Sequence, residues 1–229
     1  MKRYLLILLF LLLPCAVFAE EEVKIALTPA PIDASDIASI KRGAQFFAAN
    51  CMSCHTLVYM RYNKLAQEAG VTYEKMPVNI KSWPYGVSPP DLSLEADAKG
   101  VDWIYTYLHS FYQDASRPSG VNNLVFPNTA MPGIITTFQG TQVKAEKLPT
   151  ALFHKQQWFD LVVLEKQGTM TPDKFDQTVT DVVNFLAYAA HPYESSQKSL
   201  GWWVLGFLVI LFVLAFYLKK EYWKDVKRK

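Results

Sequence analysis

Residues 51–55 read Cys-Met-Ser-Cys-His, and no other stretch restricts the fold of this chain as strongly. Two thiols three positions apart on one helical turn match the two vinyl groups of a haem, with which they form thioethers. The histidine that follows is then delivered to the iron from one face. A chain tied to a flat macrocycle at that point must wrap the rest of itself around it. Two other uses of a Cys-x-x-Cys pair fit less well. A redox disulfide favours a βαβ setting, and no strand-rich run precedes Cys51. A zinc site needs four ligands, and the one remaining cysteine, Cys15, lies near the amino terminus.

The two ends set the compartment. Lys2 and Arg3 precede an apolar run from Tyr4 to Leu13, and Val17-Phe18-Ala19 precedes Glu20-Glu21-Glu22. This is the pattern of a secretory signal peptide, residues 1–19, cleaved after Ala19. Cys15 leaves with it; Pro14 stands where lipoprotein processing requires a small residue. The run Leu200–Leu218 contains 19 residues and no charge. At about 1.5 Å per residue it nearly matches a hydrocarbon core of about 30 Å. Trp202 and Trp203 sit at one edge, and Tyr217 and Trp223 at the other, as interfacial aromatics do. The tail, residues 219–229, holds six Lys and Arg against Glu221 and Asp225, a net +4. Basic flanks remain in the cytoplasm, so residues 20–199 are expected on the outside, in the periplasm, carrying the haem domain.

That exported part has 15 basic and 19 acidic residues, a net −4. Such a balance argues against a nucleic-acid partner and for a basic one, whose reduction would be faster at low ionic strength. The spacing predicts a helix capped by Asp33 or Ser35 and running through Asn50, with Ile37, Ile40, Ala44 and Phe47 on one stripe. It ends at the haem motif. Thr171-Pro172-Asp173 begins a second helix, striped by Phe175, Val179, Val182, Val183 and Leu186 and stopped at His191-Pro192. The two are expected to cross beneath the haem. Asp91 is expected to cap a short helix ending at Gly100, and Val101–Tyr112 reads as another helix. Residues 134–168 give mixed signals. The fold class is therefore mainly α: a monohaem cytochrome c-like domain with long loops and one C-terminal transmembrane helix.

The iron needs a ligand opposite His55. A methionine sulfur suits an electron carrier because it raises the potential. Spacing leaves Met76, Met131 and Met170 open, with His109, His154 and His191 as nitrogen alternatives. Met131 leads, because Phe126-Pro127-Asn128-Thr129-Ala130-Met131-Pro132-Gly133 is a punctuated loop suited to carrying a side chain over a haem.

Several blocks resemble the cytochrome c1 family, the haem subunit of the ubiquinol–cytochrome c reductase (cytochrome bc1) complex, in its proteobacterial form. They are Arg42-Gly43-Ala44-Gln45 before the motif, Arg61-Tyr62 after it and Pro89-Pro90-Asp91-Leu92-Ser93-Leu94. A longer block runs from Asp102-Trp103 through Ser116-Arg117-Pro118 and Asn122-Asn123 to Met131-Pro132. Gly201-Trp202-Trp203 and Glu221-Tyr222-Trp223-Lys224-Asp225 flank the anchor. The resemblance implies one covalently attached haem c on Cys51 and Cys54, with His55 and Met131 as axial ligands. It implies electrons received from a Rieske iron–sulfur protein and passed to a cytochrome c. The setting would be a complex with cytochrome b in the bacterial inner (cytoplasmic) membrane, within a dimeric assembly. The chain would be a carrier inside an oxidoreductase with no catalytic residue of its own. Two positions depart from the family pattern. Gly133 stands where many relatives continue with proline, which predicts a looser loop. Asp97 and Lys99 stand where arginines are common, so Lys99 and Arg117 become the candidates for haem propionate contacts.

Two function classes compete with this one. A membrane-anchored monohaem cytochrome of another respiratory complex would share the chemistry but not the partners. A haem-based sensor would need an exchangeable sixth ligand.

Overall fold

The computed structural model describes residues 25–77, 83–145 and 156–224. The expected signal peptide, His154 and the last five residues of the tail lie outside the described residues. The helices are α1 (Ile37–Asn50), α2 (Lys64–Glu68), α3 (Glu95–Ala98), α4 (Val101–His109), α5 (Thr136–Gln139), α6 (Trp158–Leu161), α7 (Pro172–Ala190) and α8 (Glu194–Tyr222). Three two-stranded sheets accompany them. β1 (Ile25–Ala26) pairs in parallel with β5 (Gln156–Gln157), and β2 (Phe111–Gln113) pairs antiparallel with β3 (Val121–Asn123). β4 (Gly140–Lys144) pairs antiparallel with β6 (Val162–Gln167). The mainly α class read from the sequence is the observed one.

The core is the crossing of α1 and α7. Ile40, Gly43, Ala44 and Phe47 bury one face of α1, and Phe175, Val179, Val182, Val183 and Leu186 bury the stripe of α7. The approach is closest at Gly43, where an added Cβ would lie 1.9 Å from the Asp181 carbonyl oxygen. Only a residue without a side chain lets the two backbones meet there. Phe47 and Phe185 pack with ring centroids 5.8 Å apart. Around the crossing, the Asp181 carboxylate accepts from Arg42 Nε at 2.7 Å and Nη2 at 2.8 Å, from Ser39 Oγ at 2.7 Å and from Gln177 Nε2 at 3.1 Å. Burial pushes this carboxyl up, but the Arg42, Ser39 and Gln177 hydrogen bonds outweigh it and hold it below the usual carboxylate range.

Three element ends differ from expectation. α1 is capped by Asp36, whose carboxylate accepts from Ser39 N at 2.9 Å. Asp33 instead closes a local turn onto Ser35 N and Oγ, and Ile37, in the first turn of α1, is exposed. α3 starts at Glu95, because Asp91 is engaged elsewhere, as described below. α4 stops at His109, short of Tyr112, for a physical reason: Asn123 Nδ2 donates to the Tyr107 carbonyl at 2.8 Å. That oxygen also accepts from Ser110 N at 3.3 Å. The His109 carbonyl, which the helix end leaves orphaned, accepts from Gln139 Nε2 at 2.9 Å and Gln142 Nε2 at 2.8 Å, and Phe111–Gln113 turns into strand β2. The Thr171 cap and Pro172 start of α7 are as expected, with Thr171 Oγ1 accepting from Lys174 N at 3.4 Å. α8 follows the break at His191-Pro192. Its apolar part, Leu200–Tyr222, is exposed and long enough to cross a membrane.

Candidate haem site

α1 does not stop cleanly at Asn50. Cys51 N donates to Phe47 O at 2.9 Å, and both Cys54 N and His55 N donate back to Cys51 O, at 3.1 and 2.9 Å. This tight turn places Cys51, Cys54 and His55 on the wall of one cavity of about 530 Å³. That volume lies within the range of about 300–1,000 Å³ typical of ligand pockets. The floor is the α7 stripe of Phe175, Val179, Val182 and Leu186, with Phe46 and Phe47 of α1. Trp103, Tyr107 and Leu108 of α4 and residues 128–132 close the other sides.

His55 Nδ1 lies 2.9 Å from the Pro90 carbonyl oxygen. A carbonyl only accepts, so Nδ1 carries the proton and Nε2 keeps its lone pair for a metal. Burial lowers the imidazole pKa, opposed by the Pro90 hydrogen bond and the charges of Glu95 and Asp91, so the ring is neutral, as a ligand must be. Pro90 is itself fixed by the next residue. Asp91 accepts from Thr56 Oγ1 at 2.5 Å and Val58 N at 2.9 Å, and Leu92 N donates to Thr56 O at 2.9 Å. The Pro-Pro-Asp segment is thus clamped onto the chain just after the motif. Burial, helped by the neighbouring Cys54, pushes the Cys51 thiol up to about 12. A redox disulfide relies on a depressed thiol pKa, and Cys51 has the opposite.

Met131 lines the same cavity. Its N–H donates to Thr129 Oγ1 at 3.2 Å, and Thr129 Oγ1 lies 2.8 Å from Tyr107 Oη. Trp83 Nε1 donates to Ala130 O at 2.9 Å. The loop is not loose after Met131: a Cβ on Gly133 would lie 2.9 Å from Val121 Cγ1, so the missing proline is replaced by close packing. The other candidates lie elsewhere. Met76 is buried in the core away from the cavity, and Met170 receives a hydrogen bond from Thr178 Oγ1. His109 packs against Trp158 and edge-to-face with Phe175, with Nδ1 on the Tyr105 carbonyl. His191 Nε2 lies 2.7 Å from Asp97. Among the described residues, His55 and Met131 are the only histidine and methionine on the cavity wall.

Of the two propionate candidates, Lys99 lines the cavity, its Nζ 5.4 Å from the Trp103 ring centre. Arg117 does not line it; its guanidinium holds Asn128. Sequence reasoning missed Trp83, Tyr107, Thr129 and the Pro90 carbonyl. The Pro-Pro-Asp run was the one visible signal among these, and it pointed to a helix cap instead.

The residues present fit a haem: an apolar cavity, a thiol pair, a neutral imidazole with a free Nε2, and a thioether sulfur. A bare metal ion fits less well, since no cluster of three or more His, Cys, Asp or Glu occurs among the described residues.

The model of the cytochrome C1 family matches residues 28–85 and 79–226. The chain is 39% identical over 246 residues to a cytochrome c1 of Allochromatium vinosum, covering 99% of this chain and all of that protein. It is 36% identical over 246 residues to a protein of Nitrosomonas europaea named ammonia monooxygenase gamma subunit, covering 99% of each. A cytochrome b/c1 of Bradyrhizobium diazoefficiens is 25% identical over 85% of this chain and 34% of its own length. The chain belongs to the cytochrome c1 family, the haem-bearing, membrane-anchored electron-transfer subunits of the bc1 complex.

Proposed function

We propose that this chain carries one haem c, bound covalently through Cys51 and Cys54 and ligated by His55 and Met131. In this reading it accepts electrons from a Rieske iron–sulfur protein and passes them to a cytochrome c. The observation that carries the proposal is the placement of both thiols, His55 and Met131 on the wall of one cavity. When bound, the haem supplies a one-electron iron couple. The chain's own residues do the rest. His55 is oriented by Pro90 and kept in the Nε2-ligating tautomer. Met131 offers a soft neutral sulfur that favours the reduced metal and so a high potential. The α7 stripe and the aromatic rings of α4 exclude water, which limits the reorganisation accompanying each electron. Val87 and Phe126 both line the cavity and stand exposed, 81% and 49%, so this rim is where a partner approaches closely.

The haem domain, residues 20–199, sits in the periplasm behind a cleaved signal peptide. Residues 200–218 cross the inner membrane once and the tail, residues 219–229, stays in the cytoplasm. Cytochrome b is the neighbour in the membrane, as the name of the Bradyrhizobium relative supports, and the complex is dimeric. The name of the Nitrosomonas relative defines a second reading, a subunit of a monooxygenase. With His55 and Met131 both holding a bound haem, its iron would have no open position for oxygen, which favours electron carriage. Mild-detergent purification on a tag fused to this chain distinguishes the two. Co-purified b-type haem and a Rieske electron-paramagnetic signal are expected; a preparation with neither would contradict the proposal.

A further inference from the structure

The three residues before Met131 are each held by a different side chain. Trp83 holds Ala130 and Tyr107 holds Thr129, and both of these line the cavity. Asn128 is held by Arg117, which does not. Arg117 Nη1 donates to Asn128 Oδ1 and Nη2 to the Asn128 carbonyl, both at 3.1 Å. Its Nε is shielded from solvent, and the residue is half-buried, so this arginine is held against the loop rather than free of it. Asn128 is also the one non-glycine residue, among those described, with a left-handed backbone, at φ 63°. Its N–H donates to Asn122 Oδ1 at 2.8 Å, and Asn122 Nδ2 donates to Asp114 at 2.9 Å. Asp114 closes the circle, since its carbonyl accepts from Arg117 N at 3.1 Å.

A left-handed residue reverses the course of the chain, and L side chains resist that conformation unless their surroundings impose it. Asparagine tolerates it best. Here the fork of Arg117 grips the side chain and the carbonyl of Asn128 together, which a lysine point charge cannot do. The direction in which the chain leaves Asn128 decides where the Met131 sulfur enters the cavity three residues later.

We infer that Arg117 is a positioning residue that sets the Met131 sulfur by clamping Asn128 in the left-handed conformation, rather than a contact of the haem itself. The inference rests on Met131 being the iron ligand. It is tested in the intact membrane complex with Arg117→Gln, Arg117→Lys, Asn128→Gly, Asn128→Ala and Met131→Ala, each normalised to covalent haem. Two signals are read: the far-red sulfur–iron charge-transfer band of the oxidised form, and carbon monoxide binding by the reduced form. Both Arg117 variants are expected to lose most of the band. At limiting carbon monoxide their bound fraction should rise by a factor on the order of ten, for two charge-assisted hydrogen bonds lost. Asn128→Gly, free to stay left-handed, should keep the band that Asn128→Ala loses.

A wild-type band in Arg117→Lys alongside a weak one in Arg117→Gln would overturn the inference, since charge and not the fork would then matter. Wild-type bands in both would overturn it as well. If the Arg117 variants do not accumulate, equal bands in Asn128→Gly and Asn128→Ala overturn it on their own. An unchanged band in Met131→Ala removes the ligand reading beneath it, and that failure is visible independently of Arg117.

Discussion

The cavity wall that carries Cys51, Cys54 and His55 hangs from the end of a 14-residue helix packed on α7, whereas the wall that carries Met131 has no regular structure between β3 and α5. The first wall is positioned by a helix crossing and a buried carboxylate network. The second is positioned by separate hydrogen bonds from side chains outside the loop: Trp83 to Ala130, Tyr107 to Thr129, and two from Arg117 to Asn128. The difference is one of cooperativity. A helix crossing fails or holds as a unit, so its loss takes the domain with it. A loop held by separate hydrogen bonds loosens one contact at a time and leaves the domain folded. Damage to the first wall should therefore appear in stability, and damage to the second in the spectrum.

The largest effect expected is complete. The double substitution of Cys51 and Cys54 by alanine leaves the cavity but removes both thiols, and haem staining on a denaturing gel should vanish. Next comes Gly43→Ala. Its Cβ would meet backbone at the α1–α7 crossing, which cannot move aside as a side chain would. The cost should be about 3 kcal/mol or more in denaturant unfolding followed by circular dichroism, with both walls failing together.

A smaller effect on the same wall depends on pH. Asp181 is held below the usual carboxylate range in the folded chain. Its stabilisation is fully present above the unfolded carboxylate value of about 4 and is lost as pH falls through the lower folded value. Asp181→Asn should be less stable at neutral pH, and its stability should fall less steeply than that of wild type below about pH 4. Parallel acid limbs for the two proteins would show that the network does not act through this charge. The smallest effect falls on the second wall. Trp83→Phe removes the one hydrogen bond to Ala130, a loss of about 1 kcal/mol. It should weaken the sulfur–iron band while shifting the denaturation midpoint far less than Gly43→Ala does; an intact band with a midpoint shifted as far would reverse the comparison.

The same contrast explains what the sequence made legible. The turn of the haem motif, the striped face of α7 and the apolar C-terminal helix are encoded by local spacing, and they appear where spacing put them. The α1 boundary moved only from Asp33 or Ser35 to Asp36, because several adjacent residues can cap and a local turn takes the losing candidate. α4 was read too long because the side chains that bind its last carbonyls, Asn123 on Tyr107 and Gln139 and Gln142 on His109, come from beyond the helix. Periodicity contains no trace of such a contact. Met131 could be singled out by its loop, yet the residues that hold that loop come from positions 83, 107 and 117. Arg117 was legible as a charged side chain in a family block and as a candidate for a propionate contact; its hydrogen bonds to Asn128 had no signal in the spacing. Among the described residues of 134–168, signals are mixed because the single-turn helices α5 and α6 are too brief to show a period.

The central claim is that His55 and Met131 close the two faces of one iron, and an absorption spectrum tests it most directly. Reduced-minus-oxidised spectra would be recorded on wild type and Met131→Ala, each with and without carbon monoxide. The account predicts a low-spin c-type band in wild type that ignores carbon monoxide, and a high-spin Met131→Ala protein that binds it. Ready binding of carbon monoxide by wild type, or a Met131→Ala spectrum identical to it, would contradict the account.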